Sequence, residues 1–344
     1  MTTAPVVAPS GPGPGPGAGA GGAERQDAER QDEGLSRDWL APFPLDAGLL
    51  LGVHRHGGGD PTFRADADGS FWKTSLTPAG PATLRVTARR PGAGGVLAGT
   101  STRVRARAWG PGAGWMLDAL PDLLGARDRP GDFRPAHTLL RELAFRHAGG
   151  RIGRSGRVLE ALVPAVLEQK VVGLEAFRTW RLLLRRFGLP APGPAPDGLR
   201  VCPPAATWAA IPSWEWHRAG AEGVRAATIR GAARVAGRLE EIVTLPAGEA
   251  DRRLRSLPGI GVWTSAEIRQ RACGDPDAVS VGDYNLPAAV GWALAGQAVD
   301  DAGMLRLLAP YAGHRYRATR LIELSGARPP RRGPRLAVRD HRRF

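Results

Sequence analysis

Cysteine occurs only twice in the 344 residues, as Cys202 and Cys273. That is too few for a disulfide framework, a four-thiolate zinc site or an iron–sulfur cluster, and it fits a reducing compartment. No apolar run approaches the ~20 residues that cross a bilayer. The N-terminus lacks the basic start and apolar core of a secretory signal. A cytoplasmic, nucleoid-associated protein with no membrane partner is therefore expected, and nothing points to an oligomer, so a monomer is expected as well. There is no P-loop, zinc-ligand spacing or Ser-His-Asp order to carry another chemistry. Lysine is nearly missing too, with Lys73 and Lys170 alone among 47 Lys and Arg residues. What remains is an ordinary globular composition, 42% hydrophobic and 23% charged, long enough for two domains. The net charge of +14 and the pI near 11.2 favour a polyanionic partner. A GC-rich codon bias accounts for Arg over Lys, but not for the excess of Arg over the 33 Asp and Glu residues.

Along the chain, residues 1–38 are rich in Gly, Pro and Ala and then repeat AERQD. With so few large apolar side chains they read as a disordered tail. Residues 39–130 carry strand patterns. Leu84 and Val86 alternate with Thr83, Arg85 and Thr87, and Val104, Ala106 and Ala108 alternate with Arg103, Arg105 and Arg107. Turns are expected at Pro61, 78–81 and Pro91-Gly92, giving a small antiparallel sheet packed on one face. Past a break at 128–132 the period changes to helical: Val158, Leu159, Leu162, Val163, Val166 and Leu167, then Phe177, Trp180, Leu184 and Phe187, ended by Gly188 and Pro190. Residues 135–325 are read as an all-helical domain and 326–344 as a flexible basic tail that adds non-specific DNA affinity or is merely solvated. The fold class is α+β.

The most informative stretch is Leu257-Pro258-Gly259-Ile260-Gly261-Val262-Trp263-Thr264. Residues 252–256 read as the end of one helix, 258–261 as a tight hairpin and 262–271 as a second helix. Two glycines spaced by one apolar residue let the backbone turn sharply and approach another surface closely. The first amides of the second helix then lack partners and suit a phosphate oxygen.

LPGIGVWTSAEI followed by Ser280-Val281-Gly282-Asp283-Tyr284 resembles the helix-hairpin-helix DNA glycosylase superfamily, and within it the AlkA-like 3-methyladenine glycosylases. The similarity takes in residues 162–169, ending in Gln169, and Pro310-Tyr311 with His314-Arg315-Tyr316-Arg317. It also takes in Asp60-Pro61-Thr62, Trp72, residues 78–84 and residues 108–112 in the β-rich half, so it covers about residues 42–326. The resemblance implies a glycosylase that takes a damaged base out of duplex DNA and hydrolyses its N-glycosidic bond in base excision repair. It implies no cofactor. In related proteins a monovalent ion can sit among hairpin carbonyls, here around Ile260.

Through the resemblance Asp283 aligns with the catalytic aspartate, whose carboxylate stabilises the oxocarbenium character of the departing sugar and orients water. The plainer role is a cap for the helix after Asn285. Asp275 and Asp277, in a Gly-Asp-Pro-Asp turn, read as turn formers. Trp263 stands where the glycosylase/lyase branch carries its Schiff-base lysine, so a monofunctional enzyme is expected. Its indole suits a base pocket for a cationic alkylated purine, or is simply core. Glu267 stands where an aromatic is expected, and either accepts from the base or, as we favour, pairs with Arg271 at i, i+4.

Trp214, in a cluster with Trp208, Trp216 and His217, and Tyr311, near His314 and Tyr316, are further expected pocket members, with core packing the alternative. Gly259, Ile260, Gly261, Thr264, Gln169 and Arg315 are the expected DNA-binding residues. Gln169 could enter the gap left by the flipped nucleotide or contact the hairpin, and Arg315, Arg317 and Arg320 could face phosphates. The rival readings are a glycosylase for oxidised or deaminated purines, a helix-hairpin-helix protein that binds DNA without catalysis, and a regulatory protein acting through the basic tail.

Overall fold

The computed structural model describes residues 34–89 and 101–330. Most of the expected N-terminal tail, the Pro91-Gly92 turn and the basic stretch after residue 330 lie outside the described residues. The N-terminal lobe is one antiparallel sheet of β1 (Leu35–Ala41), β2 (Phe63–Ala65), β3 (Phe71–Thr77), β4 (Gly80–Arg89) and β5 (Thr102–Trp109), in the order β1-β5-β4-β3-β2. The alternation read in the sequence is the packing seen. Leu84, Val86, Val104, Ala106 and Ala108 are buried against α1 (Ala47–Gly52) and α2 (Ala113–Leu123), while Arg103, Arg105 and Arg107 face out. One correction concerns the start of order. β1 begins at Leu35, inside the stretch read as tail, because its backbone pairs with β5 from Leu35↔Ala108 to Ala41↔Thr102.

The helical half divides into two lobes, each with its own core. The central lobe runs from α4 (Val158–Leu167) through α5 (Gly173–Phe187), α6 (Ala205–Ala210), α7 (Ser213–Ala219), α8 (Gly223–Arg234) and α9 (Ala236–Glu240) to α10 (Ala247–Arg255) and α11 (Val262–Ile268). Apart from Glu160, α4 is apolar and buried, and it forms the axis of this lobe. The third lobe joins α3 (Thr138–Arg146) to α12 (Leu286–Ala295), α13 (Asp301–Leu308) and α14 (Arg315–Ser325) through Leu140, Leu143, Val290, Met304, Leu308 and Ile322. A segment preceding the central lobe in sequence therefore completes the lobe that follows it, and residues 274–285 carry the chain between the two.

Buried carboxylates tie the sheet to the central lobe. Glu160 of α4 accepts from the Ser75 hydroxyl at 2.9 Å and the Leu76 amide at 2.6 Å, with Lys73 3.8 Å away. Asp60, 4% exposed, accepts from the His56 amide (2.7 Å), the Thr62 amide and hydroxyl (both 2.9 Å) and the Trp180 indole (3.0 Å). Removing that carboxylate leaves several buried donors unpaired. Asp60→Ala should lower unfolding stability by about 3 kcal/mol, read as the shift of the denaturant midpoint at constant slope.

Candidate active site

The hairpin forms between α10 and α11 as the sequence predicts, and Gly259 shows why glycine is needed there. Its φ is +85°, and a Cβ would stand 2.1 Å from Thr228 Oγ1 on α8. Ile260, 5% exposed, points into the central core and pins the turn from below. Pro258, Gly259, Gly261 and Val262 are left on the surface. From behind, Gln169 at the end of α4 donates to the Gly259 carbonyl (2.9 Å) and to Thr264 Oγ1 (2.8 Å). Of the two roles weighed for Gln169, the structure shows the contact with the hairpin. Thr264 is 2% exposed, and its side chain holds the hairpin from within.

α11 does not end at residue 271 as a regular helix. It passes into a π-helical turn, Arg269–Cys273, a feature frequent near functional sites. Its last carbonyls are satisfied by the amides of Ser155 (from Arg271) and Gly156 (from Ala272). The chain then crosses to the third lobe, and Asp283 lies on that crossing. Its Oδ1 accepts from the amides of Asn285 (2.8 Å) and Leu286 (2.9 Å), so it does cap α12. Its Oδ2 accepts from Trp263 Nε1 at 3.2 Å. The carboxylate has about four acceptor sites, and these three donors fix it while leaving capacity for one more.

Glu267 forms the expected ion pair, with Arg271 at 2.6 Å. Its other oxygen accepts from the Ser280 hydroxyl. Three expected site residues are placed elsewhere. Tyr311 is 2% exposed, and its hydroxyl is taken by the ring and amide of His137, so it belongs to the third-lobe core. Arg315 makes a fork with Asp277, Nε to Oδ1 at 2.8 Å, which commits its guanidinium to the crossing turn. Trp214 is 65% exposed on α7, which packs on α5 and α8, while Trp208 and Trp216 stack at 5.9 Å in the central core. Arg317 is likewise buried in a pair with Asp128, and Arg320 lies 3.5 Å from Glu323.

Two features were missed from sequence. Gln270 donates to the Ala278 carbonyl and to Ser280 Oγ, both at 2.9 Å, and its place seven residues after Trp263 could have put it on the same helix face. Lys170 is exposed, directly follows Gln169 and has φ of 54°, the one non-glycine with positive φ among the described residues. Sequence separates it from the hairpin, but the Gln169 bonds bring its turn beside it. Lys73 is buried in the sheet lobe near Glu160.

No protein-family model and no curated protein matches this sequence. Solved structures do match. A 3-methyladenine DNA glycosylase from Archaeoglobus fulgidus superposes with a TM-score of 0.66 at 17% identity, over 84% of this chain and 98% of that one. The chain therefore has the fold of that glycosylase. The 8-oxoguanine glycosylase/lyase of Clostridium acetobutylicum matches in its apo form with a TM-score of 0.60 at 12% identity, over 81% and 92% of the two chains. The same protein bound to duplex DNA matches with a TM-score of 0.59 at 12% identity, over 82% and 92%.

Two outcomes follow from this geometry. Gly259→Ala should cost about 2 kcal/mol or more, since strained φ and the clash with Thr228 add; equilibrium unfolding measures it, and an unchanged midpoint would show that the hairpin relaxes freely. At Asp277, burial acts against the charge, but the hydrogen bonds and charge of Arg315 prevail and hold its carboxyl below the ordinary value. A depressed folded-state pKa means the pair stabilises above the unfolded carboxyl range and is lost as pH falls through the folded value. Asp277→Asn should therefore narrow the stability gap between pH 6 and pH 3 in denaturant titrations.

Proposed function

We propose that this protein is a monofunctional DNA glycosylase that extrudes alkylated, 3-methyladenine-type purines from duplex DNA and hydrolyses their N-glycosidic bond. The observation that carries the reading is the Asp283 carboxylate, held by the Trp263 indole and two helix amides on the crossing beside an exposed hairpin turn. As the bond to the base lengthens, positive charge gathers at C1′ and the ring oxygen. A fixed carboxylate stabilises that charge, and its remaining acceptor capacity can orient the attacking water. A cationic methylated purine leaves without a proton donor, so one carboxylate suffices.

The absence of a Schiff base rests on the side chains at hand. Trp263 occupies the α11 position and spends its N–H on Asp283, and Lys73 sits in the sheet lobe, which leaves Lys170, exposed beside the hairpin, as the amine the test must address. The surface of the hairpin and the excess positive charge supply phosphate affinity. Base excision repair of alkylated DNA is the role this chemistry serves. The Ile260 carbonyl accepts no hydrogen bond among the described residues, which fits the monovalent ion expected at the hairpin; no step depends on it.

The test is release of free bases from methylated duplex DNA by wild type and Asp283→Asn. Wild type should release methylpurines, and the variant should be slower by 100-fold or more, on the order of losing one preorganised charge contact, with DNA affinity retained or raised. Borohydride should trap no adduct. An adduct lost in Lys170→Ala would replace the hydrolytic reading with a lyase, and preferred release of 8-oxoguanine would change the lesion class. DNA binding without any base release would leave a non-catalytic binder.

A further inference from the structure

One face of α11 and its π-turn grips the segment that carries Asp283 at three successive points. Gln270 donates to the Ala278 carbonyl (2.9 Å), Glu267 accepts from the Ser280 hydroxyl, and Trp263 donates to Asp283 (3.2 Å). The helix positions fall by three and four as the segment positions rise by two and three, so helix and segment run antiparallel in a fixed register. Ser280 is 5% exposed and its hydroxyl has no freedom: it accepts from Gln270 Nε2 at 2.9 Å and donates to Glu267.

Glu267 makes the middle contact and is the only charged side chain on the helix side of the three. Its second oxygen is held by Arg271 at 2.6 Å, and Arg271 Nε reaches the Val53 carbonyl at the end of α1 (3.0 Å). The chain of bonds thus runs from the sheet lobe, through Arg271 and Glu267, to the segment ending in Asp283. Each Glu267 oxygen thus takes one donor within the protein, Arg271 on one side and Ser280 on the other.

We infer that Glu267 is a positioning residue for Asp283: it fixes the 278–283 segment through Ser280 so that Asp283 stays on the Trp263 indole. For its effect on base release the inference rests on the glycosylase reading; its structural part does not. The test combines two measurements on Glu267→Ala and Ser280→Ala, the second removing the tether while sparing the Glu267–Arg271 pair and the fold. The first is hydrogen exchange of the Trp263 indole proton, followed by NMR and assigned with Trp263→Phe. The second is the single-turnover rate of methylpurine release set against DNA affinity.

Both variants should exchange the indole proton at least tenfold faster than wild type. They should release base at least tenfold more slowly with affinity within threefold, a split that a loss of folding or binding does not produce. Unchanged indole exchange in both overturns the proposal whether or not the wild type cuts DNA. Faster exchange with unchanged release overturns the catalytic part. Faster exchange with no release by wild type upholds the tether and refutes the glycosylase reading instead.

Discussion

The bond from Trp263 to Asp283 is the contact on which the site depends, because it joins the last helix of the central lobe to the first residues of the third. A carboxylate on a crossing between two lobes is free to swing unless both lobes hold it. Here one oxygen is bound by the amides that begin α12 and the other by an indole on α11. The same aspartate is therefore helix cap and candidate catalyst, and the two roles reinforce each other. Capping fixes the charge in place, and a fixed charge stabilises a transition state without first having to be reoriented.

Magnitudes show why such placement matters. A full positive charge about 4 Å from a carboxylate gains about 4 kcal/mol at an effective dielectric of 20, close to a thousandfold in rate. The benefit fades as distance and water increase. In a strongly basic protein suited to a polyanion, a carboxylate beside the exposed hairpin opposes phosphate affinity. Its presence at that place is easier to explain by chemistry than by binding. The supporting architecture keeps it there: Gln169 and Ile260 hold the hairpin from behind, and Gln270 and Glu267 hold the segment leading to Asp283.

Much of this was legible in the residues. Alternation of Arg103, Arg105 and Arg107 with Val104, Ala106 and Ala108 marks a strand because one face of the sheet is buried, and the hairpin is legible because Gly259 must take positive φ against Thr228. The ion pair of Glu267 with Arg271 follows from helical spacing. What the sequence left open depends on contacts distant in the chain. Tyr311 is covered by His137, Arg315 is claimed by Asp277, and α3 leaves its neighbours to complete the third lobe. None of these pairings has a local signature, and an isolated tyrosine or arginine reads the same whether it faces DNA or a buried partner. Trp214 was ambiguous for another reason: clustering of aromatics along a short helix says nothing of which side faces inward.

Affinity for a cationic analogue of the reacting sugar tests the central claim most directly. Two duplexes would be compared, one carrying a neutral tetrahydrofuran abasic analogue and one a pyrrolidine with a protonated nitrogen where positive charge develops. If Asp283 is poised to stabilise that charge, wild type binds the cationic duplex at least 100-fold more tightly, and the preference collapses in Asp283→Asn. Equal affinity for the two duplexes in wild type, or a preference that survives the substitution, would contradict the account.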